Sequence, residues 1–421
     1  MEQLPSEFYL KTQLKFSRNW GVWPWTEETP LWKKIFCKII FYITLFLKLA
    51  AFACLLYHVY VEWGHLPNPI DNIILASALL NCSFGMIYIP YKIEGFLDLL
   101  KSMDRIFVIP KDESDDELER FKKQTFERYM KSAALVTRLF LGSSLATGIM
   151  SGIEPLAYEE GKRPFPLLVS FPFDCSSGIH YWYAYFFLMA SWMSCCINGT
   201  INCDLFVSLI IKTTCQFHFL ELGLLKIRDT AIKQKRTRTE SVKQLKIKFL
   251  DPSEEELDAE EDDLMVQNLK VCIKYHQDLL GFAAALEAHV SPFVFMQMFV
   301  YFTFLCMNIF AISLVPVASM EFMEQLLFII CITCLLLILS WYGNELKLKS
   351  MDVAKAAYDC DWLNGPLEFK KSLVTLILRA QKPVILTALK FFTVDLNLFI
   401  VVMKTSYSYY QVLHTMYSKE S

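Results

Sequence analysis

The residues best placed to do chemistry are polar side chains set into the apolar C-terminal stretch. Between Val384 and Tyr417 the chain carries Lys390, Asp395, Asn397 and Lys404, interspersed with Thr393, Thr405, Ser406, Ser408 and Gln411. Such groups are costly at membrane depth unless they face protein or water. Two readings stand side by side. In one, Lys390 and Lys404 reach the interfaces while the rest pack against neighbouring helices; in the other, the segment lines a watery path. Catalysis is not indicated: there is no P-loop, GxGxxG, HExxH or GxSxG motif, and no Cys/His spacing suits zinc. His58, His65, His180, His218, His276 and His289 stand alone in loops or at span ends, and His414 lies near the end of the last apolar run. An enzyme, a cofactor, a metal site and a nucleic-acid partner are therefore not expected.

The elements that must position those side chains are membrane helices. Of 421 residues 54% are hydrophobic and 15% aromatic, with positive mean hydropathy. The apolar residues form unbroken runs of membrane-spanning length, where about twenty residues suffice. The fold class expected is an all-α polytopic membrane protein with seven spans near 35–61, 70–90, 133–152, 178–211, 288–315, 322–343 and 385–417. The fourth is longer than a bilayer needs and would tilt or project. The division expected is an N-terminal segment 1–34, a six-helix bundle 35–343, an anchor segment 344–383 and a final helix with its tail, 384–421. Asn364-Gly365-Pro366 opens an amphipathic helix, Leu367 to Ala380, which Pro383 ends. A single helix is then expected from Val384 to Tyr417.

The first apolar run, near Ile35, would serve as its own targeting signal. Trp20, Trp23 and Trp25, around Gly21 and Pro24, suit an interfacial anchor at the level of the lipid headgroups. An ordinary turn packed on protein would read the same. The thirteen cysteines lie mostly within or beside apolar runs and fit small packing residues better than a disulfide framework. The sequons at Asn81 and Asn198 fall inside spans, where an acceptor is inaccessible.

Charge sets the orientation. Segments 1–38, 91–131, 212–287 and 343–383 carry six, nine, twelve and seven Lys/Arg, whereas 62–69, 153–177 and 316–321 carry none, two and none. By the positive-inside bias the N-terminus is cytoplasmic, and after seven spans the C-terminus is outside. That is the reverse of a G-protein-coupled receptor. Within 212–287, the basic run Lys233 to Arg238 and the acidic run Glu254 to Asp263 read as solvated blocks. Contact of the basic run with anionic lipid is a weaker alternative.

The C-terminal residues carry a resemblance. Tyr358 and Trp362, then Arg379-Ala380-Gln381-Lys382-Pro383, Thr387, Phe399 and Lys404-Thr405-Ser406-Tyr407-Ser408-Tyr409 resemble the signature of insect odorant receptors, and the reversed seven-span topology is similar too. Tyr409 and Gln411 lack the spacing of the related gustatory receptors. The resemblance implies an odorant-gated, nonselective cation channel of four subunits in the plasma membrane of olfactory neurons. The short segment between spans four and five and the polar tail after His414 resemble an odorant-tuning subunit rather than the shared co-receptor. Its partners would be that co-receptor, a small volatile odorant and membrane lipid.

The resemblance also implies site residues. Tyr358, Trp362 and Arg379 would belong to a cytoplasmic subunit anchor. Val412 and Met416, four apart and so on one helix face, would form an apolar pore gate that closes by dewetting. The odorant pocket would lie in the outer half of the bundle, with Phe84, Ser144, Thr147, Tyr183, Phe187, Met193 and Phe328 as its lining. Aromatic residues at helical spacing are also what an ordinary core contains. A membrane transporter is the competing class, but only one helix break, at Pro383, resembles the paired breaks of such proteins.

Overall fold

The computed structural model describes residues 5–420 apart from 26–28, 62–67, 111–116, 159–163, 168, 173–174, 176–177, 245–253, 318 and 364. The described chain is almost entirely helical: α1 (Pro5–Asn19), α2 (Leu31–Val61), α3 (Asn68–Tyr91), α4 (Ile93–Ile106), α5 (Glu117–Ile153), α6 (Gly178–Leu225), α7 (Ile227–Gln244), α8 (Glu254–Leu314), α9 (Met320–Asp359), α10 (Leu367–Ala380) and α11 (Leu396–Glu420). Six of these, α2, α3, α5, α6, α8 and α9, are long and apolar enough to cross a membrane. Helix α11 is long enough at 25 residues but too polar to be counted with them.

Helix α6 is the central pole. Every residue from Ile201 to Phe217 is buried, which requires neighbours on all sides rather than one amphipathic stripe. Several of its polar members are bonded within the protein. The Asp204 carboxylate accepts from Thr137 Oγ1 of α5 at 2.8 Å and from Gln13 Nε2 of α1 at 3.1 Å. Gln13 also reaches Ser208 Oγ at 3.1 Å. This cluster ties the N-terminal helix to the bundle.

The tryptophan-rich turn packs on protein. Trp23 is buried, its ring edge-on to Phe96 at 6.0 Å, and Trp25 Nε1 donates to Cys37 Sγ at 3.4 Å. Gly21 makes the turn possible: it sits at φ +70°, and a Cβ there would lie 2.4 Å from the Cys37 carbonyl oxygen.

The charged blocks are more ordered than their composition suggests. Residues 92–131 contain α4 and the first turns of α5, and much of 212–287 continues α6, forms α7 and begins α8. The basic and acidic runs are not simply solvated; they face each other. Arg228 bonds Glu261 at 3.1 Å and Asp361 at 2.6 Å, while Lys235 and Arg238 lie 3.5 Å and 3.7 Å from Glu261 and Glu260. The hydrogen bond to Asp361 holds the Arg228 guanidinium above its ordinary value, against a partly opposing desolvation. Opposite charges on two packed helices neutralise blocks that would otherwise repel.

The expected single helix from Val384 is corrected. Helix α11 starts at Leu396, and before it residues 387–393 form a small hairpin, β1 (Thr387–Ala388) antiparallel to β2 (Phe392–Thr393). Phe391 N bonds Ala388 O at 3.0 Å across a turn in which Leu389 and Lys390 both have positive φ, 49° and 63°. That turn geometry matches the twist of paired strands, but positive φ is disfavoured for side chains of this size. Tertiary bonds hold it. Leu389 N donates to Ser291 Oγ at 2.6 Å and Thr387 Oγ1 donates to the Glu287 carboxylate. Asp395 then accepts from the Asn397 and Leu398 amides at 3.1 Å and 3.3 Å, capping α11, and pairs with Lys347 of α9 at 3.1 Å.

Gly343 on α9 lets the hairpin dock: a Cβ there would lie 2.2 Å from the Val394 carbonyl oxygen. Gly343→Ala is therefore expected to push the hairpin off α9 at a cost of about 1–3 kcal/mol. Thermal unfolding of purified protein would read this as a lower melting temperature than wild type.

Candidate ligand-binding site

Ion pairs that link α7, α10 and the adjoining ends of α6, α8 and α9 gather at one end of the bundle. A cavity lies in the half away from that end, where α3, α5, α6, α8 and α9 meet. Its volume is about 130 Å³, and its walls include Asn81, Cys82, Ser144, Thr147, Trp192, Cys195, Gln297, Tyr301, Phe304 and Phe328. Most of the wall is apolar, with a few polar groups, as small-molecule sites generally are. A second chamber of about 270 Å³ adjoins it and shares Trp192, Phe304 and Phe328 with it. Trp192 and Phe328 meet edge-on at 6.1 Å, and Phe304 and Phe328 at 6.3 Å. These three rings are the partition. The second chamber is more polar, with Ser151, Asn308, Glu321, Glu324 and Gln325 in its wall, and Ser151 Oγ bonds Glu324 at 2.6 Å.

Of the seven lining residues expected from sequence, Ser144, Thr147 and Phe328 come together at the inner cavity. The other four do not line it. Phe84 stacks on Tyr88 at 5.3 Å, one helical turn toward the charged end. Tyr183 is 67% exposed on the outside of α6. Phe187 packs edge-on to Phe171 at 6.4 Å. Met193 fills the space over Gly148, where a Cβ would meet its sulfur at 2.4 Å. All four miss for one reason: α6 and its neighbours are apolar on every side, so helical spacing does not reveal which face is turned inward.

Asn81, Trp192, Cys195 and Gln297 also line the inner cavity and were not among the residues selected from sequence, although Asn81 and Trp192 fall within the stretches 79–84 and 183–193 expected to face the pocket. The signal was present for two of them. Asn81 and Gln297 are amides inside apolar runs, and such groups must find a partner or a ligand; Asn81 Nδ2 donates to Gln297 Oε1 at 2.8 Å. Among the described residues no cluster of His, Cys, Asp and Glu is arranged to hold a metal ion, and no disulfide joins the cysteines.

The other expected site residues are dispersed. Val412 is 56% exposed on α11; Met416 lies in the same helix, and its side chain is outside those described. At the charged end Tyr358 is 66% exposed, and its carbonyl accepts from Trp362 Nε1 at 3.1 Å. Arg379, on the last turn of α10, donates to the Lys382 carbonyl at 3.3 Å.

A bundle of apolar helices of spanning length, with a cavity in one half and a terminal helix of mixed polarity, defines an all-helical multi-pass membrane protein. The sequence profile of the 7tm Odorant receptor family matches residues 67–407, and the chain belongs to that family. It is 27% identical over 278 residues to Odorant receptor 13a of Drosophila melanogaster, covering 62% of this chain and 60% of that one. It is 27% identical over 156 residues to Odorant receptor 10 of Aedes albopictus, covering 37% and 40%. The chain thus spans about three-fifths and two-fifths of the length of these relatives. In fold it is similar to the insect olfactory receptor OR5 from Machilis hrabei in complex with eugenol. That match has a TM-score of 0.78 at 13% identity and covers 97% of this chain and 98% of that one.

Phe328→Ala would open the partition and join the two chambers. Phe328 is only half-buried, so the expected cost is about 2 kcal/mol, below the range for fully buried phenylalanines. The variant should bind larger ligands than wild type, read as ligand-induced thermal stabilisation across a size-graded series.

Proposed function

We propose that the chain is the odorant-binding tuning subunit of a ligand-gated, nonselective cation channel, working as a heterotetramer with the odorant receptor co-receptor. It would sit in the plasma membrane of an olfactory sensory neuron, with its N-terminus and charged end cytoplasmic and its C-terminus outside. The observation that carries this reading is the surface of α11. Asn397, Lys404, Ser408, Gln411 and Thr415 are exposed, and their spacing puts them on one face of the helix. A polar, exposed stripe on a helix of spanning length cannot rest against lipid. It needs water or protein, and a central pore shared by four subunits supplies both.

The opposite face of α11 is already taken. Leu398, Val402 and Ser406 are buried, and Tyr409 meets Phe302 of α8 edge-on at 5.6 Å. Val412 borders the exposed stripe, and the gate role for Val412 and Met416 rests on that position and on family resemblance. In the anchor reading, Tyr358 and Trp362 precede α10 and Arg379 stands in its last turn. That helix buries Phe369, Leu373 and Leu376 on one side and exposes Leu367, Val374 and Leu378 on the other. An exposed apolar face outside the membrane supports contact with a neighbouring subunit. The cavity supports the binding of a small volatile odorant, consistent with eugenol in the structurally similar receptor.

Cells expressing this chain together with the co-receptor should give odorant-evoked cation current without G-protein signalling, and cells expressing either chain alone should not give that current. Current from this chain by itself would remove the heteromer. Val412→Ala should change basal or evoked current while surface delivery stays intact; unchanged currents would take Val412 out of the gate.

A further inference from the structure

Three residues of the inner cavity wall each carry a buried polar atom that the protein leaves unpaired. Asn81, Ser144 and Trp192 line it, and they are 5%, 8% and 4% exposed. Asn81 Oδ1, Ser144 Oγ and Trp192 Nε1 are buried without a hydrogen-bond partner. Leaving such atoms unpaired is costly, and native interiors seldom tolerate it.

The contrast with their neighbours is informative. Serine and threonine within helices usually bond back to a carbonyl one turn earlier. Ser143 does so to Phe140 O at 3.0 Å, Thr147 to Ser143 O at 3.1 Å and Ser151 to Thr147 O at 3.1 Å. Ser144, on the same helix, does not. Asn198 and Asn308 likewise satisfy themselves on Ser194 O and Phe304 O, both at 2.8 Å. Asn81 instead spends its amide donor on Gln297 and leaves its acceptor open. The three open atoms thus comprise a donor only (the indole N–H), an acceptor only (the amide oxygen) and a hydroxyl that can be either.

From this set we infer the chemical class of the ligand: a small ring-sized odorant bearing a hydroxyl group, a cyclic alcohol or a phenol. The inference rests on the odorant-binding reading above. A hydroxyl oxygen accepts from Trp192 Nε1–H while its proton is donated to Asn81 Oδ1 or Ser144 Oγ. A ketone or aldehyde accepts but donates nothing, and so leaves the Asn81 oxygen bare. A hydrocarbon leaves all three. Any water resting on these atoms would be displaced without loss by a hydroxyl that reproduces its bonds. The rest of the wall takes the ring: an apolar cavity of about 150 Å³ accepts benzene, and this one is about 130 Å³.

The test uses cyclohexanol, cyclohexanone and methylcyclohexane, together with phenol and toluene, applied to the full chain co-expressed with the co-receptor. Cyclohexanol should be roughly tenfold or more as potent as methylcyclohexane, with cyclohexanone between them, and phenol should exceed toluene similarly. Trp192→Phe and Ser144→Ala should each lower the alcohol-to-hydrocarbon potency ratio at least about threefold. Equal potency within each set, a ketone matching the alcohol, or a ratio unmoved in both variants would overturn the inference while leaving the channel reading standing. The same compounds are scored by thermal stabilisation of the purified full-length chain, which needs no current. Stabilisation by the alcohols over their hydrocarbon partners, without current in cells, would keep this inference and count against the channel reading. Equal or absent stabilisation by both classes would overturn it.

Discussion

The structure depends on one docking contact, the seating of the short hairpin before α11 against α8 and α9. Asp395 does two jobs there: one oxygen caps the amide groups at the start of α11, and the other pairs with Lys347. A carboxylate at a helix N-terminus is favoured by the helix dipole as well as by its hydrogen bonds. The lysine partner fixes where that N-terminus sits relative to α9. Glycine at 343 leaves room for the two backbones to meet at Val394, where a Cβ would clash with its carbonyl oxygen. With those constraints met, α11 emerges beside α8 and α9 with its polar stripe turned away from them.

The same contact explains what could be read from sequence and what could not. The order of the apolar runs, the bounds of the short helix Leu367–Ala380 and the gathering of Lys/Arg into alternate segments are local or additive properties, and they were legible. The start of α11 was not. Val384 to Asp395 is apolar and could have continued as helix, and what turns it into a hairpin is Ser291, Glu287 and Lys347, between 48 and 100 residues away. The facing ion pairs of α7 and α8 failed to show for a similar reason. A run of like charges looks solvated until its opposite is brought alongside, and Arg228 meets Glu261 and Asp361 only after the chain has folded back.

The cavity was half legible on the same grounds. Ser144 and Thr147 stood out as polar residues on an apolar helix, and polarity at depth carries information about facing. Aromatic residues on α6 did not, because Tyr183 and Trp192 are equally at home outside and inside. Only packing distinguishes them: Trp192 is 4% exposed and Tyr183 67%. Asn81 shows the converse. The sequence marks it as a glycosylation motif, whereas in the fold its amide bonds Gln297 and its oxygen is left open.

Helices α8 and α9 connect the cavity to α11. Gln297 and Phe304 on α8 and Phe328 on α9 line the cavity, while Ser291 and Phe302 on α8 and Lys347 on α9 hold the hairpin and α11. On the proposed reading, a ligand that reorders the Trp192–Phe304–Phe328 partition therefore acts on the two elements against which the pore helix rests. A ligand shifts such an equilibrium only by its difference in affinity between the two states. Hydroxyl pairing and ring burial would both have to be better in the open arrangement than in the closed one. Unpaired polar atoms suit that requirement. They keep the empty cavity at a cost, and a bound hydroxyl relieves that cost only in the arrangement that brings donor and acceptors within reach together.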